Sequence, residues 1–229
     1  MTTIALFGAT GKTGQNVVKQ ALQAGYQVQA LTRRRSSLGP DSSTLKVIEG
    51  DILDPGAVGQ VVAGSDLVIS VFGHVKGSPN TLQTDGTANI VHAMKANAVH
   101  RIISLSGGGL PSPKDQPKVA DRIIRLLLRT LAPHVLHDAH GHLEVLRSSG
   151  REWTVLRVPM LTDTALTDVY RVGWVGVNAS SKTGRADLAH FILDQVPDET
   201  FIGQMPFVSY ECHMTEPRTC TESFDRWLP

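Results

Sequence analysis

The chain is short of cysteine, of net charge and of long apolar runs, and each shortage excludes something. Among its 229 residues there are 2 cysteines, Cys212 and Cys220, both near the C-terminal end. That is too few for a disulfide-stapled scaffold. The first strand begins almost at Met1, which leaves no room for an export signal. The two thiols are therefore expected to be free and the protein cytoplasmic. A formal net charge of +1 lacks the basic excess that a nucleic-acid footprint demands. No apolar run reaches membrane-spanning length, so no membrane partner is expected. Internal repeats and low-complexity tracts are missing too.

What is present is ordinary globular material, 41% hydrophobic and 19% charged. Short β-rich runs alternate with helical periodicity, the pattern of a parallel sheet covered on both faces. Strands are predicted at Ile4–Phe7, Tyr26–Thr32, Leu45–Glu49, Leu67–Phe72, Arg101–Leu105 and Trp153–Val158. Helices fit at about Thr13–Ala24, Pro55–Val62, Gln83–Ala96, Asp138–Ser149 and Arg185–Gln195, with Gly25 stopping the first. Gly107–Lys118, rich in glycine and proline, reads as a loop at a strand's carboxyl end. Beyond Pro159 the pattern weakens to apolar pieces at Val172–Val177 and a strand near Thr200–Val208. The expected fold class is α/β: a single-domain Rossmann-type doubly wound parallel sheet, helices on both faces, with a small C-terminal cap. It spans residues 1–208, and residues 209–229 form a tail without periodic signal.

The first strand runs into Gly8-Ala9-Thr10-Gly11-Lys12-Thr13-Gly14 and then a helix. Glycines at such a turn let backbone N–H groups approach a pyrophosphate, and the helix N-terminus directs its positive dipole at the same anion. Lys12 and Thr13 add a cation and a hydroxyl within reach. At the end of the second strand an NAD site usually places an acid for the ribose 2′-hydroxyl. This chain instead has Thr32-Arg33-Arg34-Arg35-Ser36-Ser37. Guanidiniums and hydroxyls suit a 2′-phosphate, so NADP(H) is the expected cofactor. Gly50-Asp51-Ile52 and Phe72-Gly73-His74 follow the next two strands and face the same crevice. Asp51 reads as an acceptor for the adenine amino group or as a cap for the helix near Asp54–Pro55. Gly73 lets the chain pass close to the ribose.

These segments, with Gly86-Thr87-Ala88-Asn89-Ile90-Val91, Ser148-Ser149-Gly150, Trp153-Thr154-Val155-Leu156-Arg157 and Gly184-Arg185-Ala186-Asp187-Leu188-Ala189, resemble atypical short-chain dehydrogenases of the NmrA-like type. The likeness is greatest to the biliverdin-IXβ (flavin) reductase group and covers about residues 2–208. It implies NADPH binding and hydride transfer to a flavin, biliverdin or quinone-like acceptor. By the same resemblance Ser106 lies beside the nicotinamide as the catalytic residue, and Pro159 lies against the cofactor. Gly107, Gly108 and Met160 wall the substrate pocket. Met160 stands where the reductases carry a histidine, so biliverdin reduction is expected to suffer more than flavin or quinone reduction. The usual Tyr-x-x-x-Lys dyad is absent; by position it would fall near His140 and Glu144. The histidines His134, His137, His140 and His142 lack a recognisable further ligand, so no metal is expected. The alternative to an enzyme is an NADP(H)-sensing regulatory binder of NmrA type without turnover. The expected partner is a small-molecule substrate, and the protein is expected to be a monomer or homodimer.

Overall fold

A computed structural model describes residues 1–34, 37, 38, 41–177 and 179–210 of the chain. Strands β1 (Thr3–Phe7), β2 (Gln27–Thr32), β3 (Leu45–Glu49), β4 (Leu67–Ser70), β5 (Arg101–Gly107) and β6 (Glu152–Val158) are joined by helices. These are α1 (Lys12–Gln23), α2 (Pro55–Val62), α3 (Leu82–Ala96), α4 (Val119–Leu131) and α5 (Pro133–Arg147). After β6 come β7 (Met160–Thr162), β8 (Arg171–Gly173), β9 (Lys182–Gly184), α6 (Arg185–Asp194) and β10 (Phe207–Ser209).

Among the described residues the main sheet is eight-stranded in the order β3-β2-β1-β4-β5-β6-β10-β8. All its pairings are parallel except β10 with β8, which is antiparallel at the edge. Period-two alternation in β1 divides the core. Ile4 and Leu6 pack with Val17 and Ala21 of α1 and Leu188 and Ile192 of α6. Ala5 and Phe7 point the other way, onto Val58 and Val61 of α2, Ile90 and Met94 of α3, and Leu143 and Leu146 of α5. A strand buried on both faces has no room for polar alternation, which is why β1 and β4 read as apolar runs.

The C-terminal part is divided. Strands β10 and β8 extend the sheet, α6 packs beside α1 on one face, and the two-stranded β7–β9 ribbon forms a small cap. Several boundaries differ from expectation. Strand β4 stops at Ser70 rather than Phe72, although the Val71 amide still reaches Phe7 O at 2.9 Å. The strand expected near Thr200–Val208 shortens to β10, because turns occupy 199–203. Helix α5 begins at Pro133, before the expected Asp138, with the proline in its first turn where no amide is needed. Helix α4 lies where the sequence reading placed no element. Arg35, Ser36, Cys212 and Cys220 lie outside the described residues.

Candidate functional site

The glycines of the turn between β1 and α1 have different tasks. Gly8 has φ +87°, and a Cβ there would stand 2.5 Å from Phe72 N. A Cβ on Gly14 would stand 2.1 Å from Gly8 O. Both positions are therefore closed by the protein itself, letting the end of β4 and the first turn of α1 press against the loop. Gly11, the residue before α1, is different: its Cβ would meet nothing closer than Gly8 O at 3.4 Å. Its free side is left for something other than protein. Thr13 is buried behind it, and Thr10 is exposed at the mouth.

Thr10 shares a cavity of about 460 Å³ with Thr32, Arg33, Arg34 and Ser37. The Thr32 hydroxyl and the Arg34 backbone hold each other, with Oγ1 donating to Arg34 O at 2.8 Å and accepting from Arg34 N at 3.1 Å. This tight turn at the end of β2 carries Arg33 and Arg34, both exposed, beside the glycine turn. Lys12 points elsewhere. Its Nζ lies 2.5 Å from Asp163 Oδ2, and Arg185 Nη1 lies 2.5 Å from the other oxygen. Lys12 first, then Arg185, holds the Asp163 carboxyl below the usual carboxylate range.

At the end of β3, Asp51 Oδ1 accepts from the Leu53 amide at 2.9 Å. The helix cap considered for it belongs to Asp54, whose Oδ1 accepts from Gly56 N, with Pro55 opening α2. Ile52 and Phe72 meet over Gly86, where a Cβ would stand 2.8 Å from each side chain. Gly73 is exposed, and apart from its chain neighbours no protein atom lies within 4 Å of its Cβ position.

Ser106 is 3% exposed, and its Oγ has no hydrogen-bond partner. A buried hydroxyl without a partner costs free energy, and Ser106 carries one at the carboxyl end of β5. Gly107 beyond it is exposed and open. Gly108 is a packing glycine: its Cβ would stand 2.9 Å from the Phe207 ring. Pro159 turns the chain from β6 into β7, and Met160 there is half exposed.

The 107–118 loop is fixed by a buried ion pair. Arg157, fully buried on β6, donates from Nη1 and Nη2 to the two oxygens of Asp115, each at 2.8 Å, from Nη1 also to Leu110 O, and from Nε to Met205 O. Burial works to raise the Asp115 carboxyl. The Arg157 hydrogen bonds and the amides of Ser112 and Val175 outweigh it and hold it below the ordinary range.

On α5 the buried polar pair one turn apart is Asp138 and His142. His140 and Glu144, the positions reached by counting, are exposed, because the sheet-facing side of the helix carries Asp138, Ala139, His142 and Leu143. Asp138 accepts from Thr84 Oγ1 at 2.6 Å, from the Gln83 and Thr84 amides, and lies 2.7 Å from His74 Nε2. Desolvation raises its carboxyl, but these bonds prevail and the pKa is lowered. His142 Nε2 is 2.8 Å from Ser104 Oγ, and burial pushes its pKa down to about 4, so it is neutral at pH 7. The β4–β5 register pairs Ser70 with Ser104, and His74 lies in the loop that follows β4.

The glycine turn lies at the end of β1 in a sheet of Rossmann order, and comparison with known proteins agrees on the fold. Residues 8–199 match the family described as NAD(P)H-binding. The chain belongs to that family. An uncharacterized protein of Mycobacterium tuberculosis is 33% identical over 108 residues, which are 47% of this chain. The chain spans about 12% of the length of the mycobacterial relatives it matches. Among solved structures, a short-chain dehydrogenase/reductase from Veillonella parvula in complex with NADP shares the fold with a TM-score of 0.77 at 22% identity, covering 96% of each chain. A putative NADH-flavin reductase from Streptococcus pneumoniae has a TM-score of 0.73 at 19% identity, covering 92% of this chain and 100% of that one. The anaerobilin reductase ChuY of Escherichia coli O157:H7 has a TM-score of 0.70 at 18% identity, over 92% and 97%.

Sequence reasoning singled out the glycine turn, the arginines after β2 and Ser106. It missed the Arg157–Asp115 pair, the His74–Asp138 pair and the tie of Lys12 to Asp163. Helical spacing four apart marks Asp138 and His142 as a pair, but only the packing of α5 tells which such pair faces inward. Among the described residues no three of His, Cys, Asp and Glu gather as metal ligands. His134, His137 and His140 are all exposed.

Proposed function

We propose that the protein is an NADPH-dependent oxidoreductase that reduces a planar, conjugated small molecule such as a flavin or quinone by hydride transfer. The observation that carries this reading is the buried, unpartnered Ser106 Oγ at the end of β5. A preformed donor there orients a nicotinamide and an acceptor without reorganising when they react. Arg33 and Arg34 beside Thr10 supply charge for a 2′-phosphate, and the open side of Gly11 admits the pyrophosphate. The bound dinucleotide supplies the hydride. The residues of the chain bind it, hold it against β5 and exclude water from one face.

Met160 has no proton to give. We assign the acid–base role to the imidazole of His74, which the Asp138 carboxylate holds at 2.7 Å. A buried carboxylate on one ring nitrogen sets the orientation and tautomer of the other. In this reading His74 delivers the proton that follows the hydride. The structural likeness to a putative flavin reductase and to an anaerobilin reductase is consistent with acceptors of this kind.

The test is NADPH oxidation with a panel of free flavins, quinones and biliverdin. Flavin or quinone should be reduced, and biliverdin weakly or not at all. Ser106→Ala and His74→Ala should each lower the flavin rate by about 10- to 100-fold while NADPH binding is retained. If the parent reduces none of the panel yet binds NADPH, the sensor reading replaces the enzymatic one.

A further inference from the structure

Helix α4 is turned inside out. Among its described side chains only Asp121 and Arg125 are partly covered, and they lie one turn apart on one side. That side faces the body, where Arg125 Nη2 approaches the buried Asp115 at 3.9 Å and the Asp121 carboxylate accepts from the Lys118 amide. The apolar side faces away. Val119 is 72% exposed, Ile123 53%, Leu126 61% and Leu131 79%, with Ile124 and Leu127 between them. Thr130 lies within this stripe, but its hydroxyl is turned back onto the carbonyls of Leu126 and Leu127. Leucine, isoleucine and valine on a solvated helix face would ordinarily turn toward the core. Here the helix is tied down by its polar side, and the stripe stays outward. Its exposed apolar area is on the order of 600 Å², the size at which a patch marks an interaction surface.

Charge decides what covers it. Lys118, Arg122 and Arg129 are exposed, and Arg122 and Arg129, seven apart, share one flank of the stripe. Asp121 is the one acid of the helix, and its carboxylate is engaged locally by the Lys118 amide at the helix start. A second copy paired antiparallel about a dyad would set the arginine flank against its own equivalent. An anionic lipid surface answers both halves of the face at once. Acyl chains take the apolar stripe and phosphodiesters take the cations.

We infer that α4 docks the protein on an anionic membrane surface, lying flat in the lipid interface. The expectation of no membrane partner rested on the lack of a spanning run, and a helix lying in the surface needs none. Among the described residues no helix is long and apolar enough to cross. The loop before α4 follows Gly107, the last residue of β5 and the neighbour of Ser106. Arg125 of α4 reaches that loop at Asp115, so docking brings the loop toward the lipid. For the proposed reduction this favours an acceptor dissolved in the bilayer, such as a quinone. That last clause rests on the reductase reading, whereas the docking itself does not.

The test is sedimentation of the full chain with vesicles of equal parts phosphatidylglycerol and phosphatidylcholine, against pure phosphatidylcholine, without cofactor. Binding should be at least about tenfold stronger to the anionic vesicles and should weaken with salt. Ile123→Glu with Leu126→Glu should lose it by about tenfold or more, as should Arg122→Glu with Arg129→Glu. These residues face water, so the variants should keep the parent's thermal transition. Failure of the parent to bind anionic vesicles, or full binding by a folded Ile123/Leu126 variant, overturns the inference. So does a concentration-dependent dimer that the Ile123/Leu126 variant breaks while vesicles leave the parent in solution, an outcome that gives the face to a second copy. None of these readouts depends on NADPH turnover.

Discussion

Arg33 and Arg34 sit on a turn whose shape is set by a threonine rather than by each other. The Thr32 hydroxyl fixes the backbone of Arg34, so both guanidiniums are presented from a rigid base while their own side chains stay in water. Such donors cost little to recruit and gain most from a phosphate with two or three charged oxygens. Arg33→Ala and Arg34→Ala are each expected to weaken NADPH binding by about 1.5–3 kcal/mol for every charge-assisted hydrogen bond removed. NADH binding should barely change. Calorimetry finding the same affinity for both dinucleotides in the parent would remove the basis for this preference. The lack of an acid after the second strand was legible at once, because residue type and position suffice there. Asp115 and Arg157 were not legible as a pair. They lie far apart in the chain, and nothing in either neighbourhood names the partner. The same holds for His74 and Asp138, which meet only because α5 packs over the ends of β4 and β5.

At the scale of elements, the turn from β1 to α1 separates two uses of glycine that look alike in sequence. Gly14 is closed by Gly8 O at 2.1 Å, whereas Gly11 opens onto free space. Gly11→Val should therefore leave the thermal transition nearly unchanged and weaken dinucleotide binding by about 100-fold or more. Gly14→Val should lower stability by about 1–3 kcal/mol or more, since the backbone must shift to admit it. Micromolar binding by a folded Gly11→Val protein would place the phosphates elsewhere. Strands β1 and β4 were legible because a sheet buried on both faces leaves continuous apolar runs, and the other four because short β-rich runs alternate with helical periodicity. The start of α5 was missed although Pro133 marks it, since histidines and a glycine weaken the periodicity that follows. The spacing of Val119, Ile123, Leu126 and Leu127 does signal α4. Among the described residues its apolar side meets no partner, so no neighbouring element accounts for the pattern.

The whole molecule carries its pH response in buried polar groups. His142 is neutral when folded, with a pKa pushed down to about 4 by burial, whereas an exposed imidazole titrates near 6.5. Between those values the unfolded chain binds more protons, so stability is full above about pH 6.5 and falls as pH drops toward 4. The depressed carboxyls of Asp115 and Asp138 add a second loss below about pH 4, in the same direction. Urea unfolding is expected to show about 2 kcal/mol less stability at pH 5 than at pH 7.5. His142→Gln should remove most of that difference, though it starts from a lower stability at neutral pH. An unchanged pH slope in the variant would assign the effect to other groups. The tie from Lys12 to Asp163 also reaches across the molecule, joining the phosphate turn to the β7–β9 cap. Both partners are solvated, and exposed ion pairs hold weakly. An incoming phosphate can thus take the lysine by simple exchange of anions, leaving Arg185 to keep Asp163 in place. The carboxylate is then a parking place for the cation, held toward the cap until an anion at the turn competes for it.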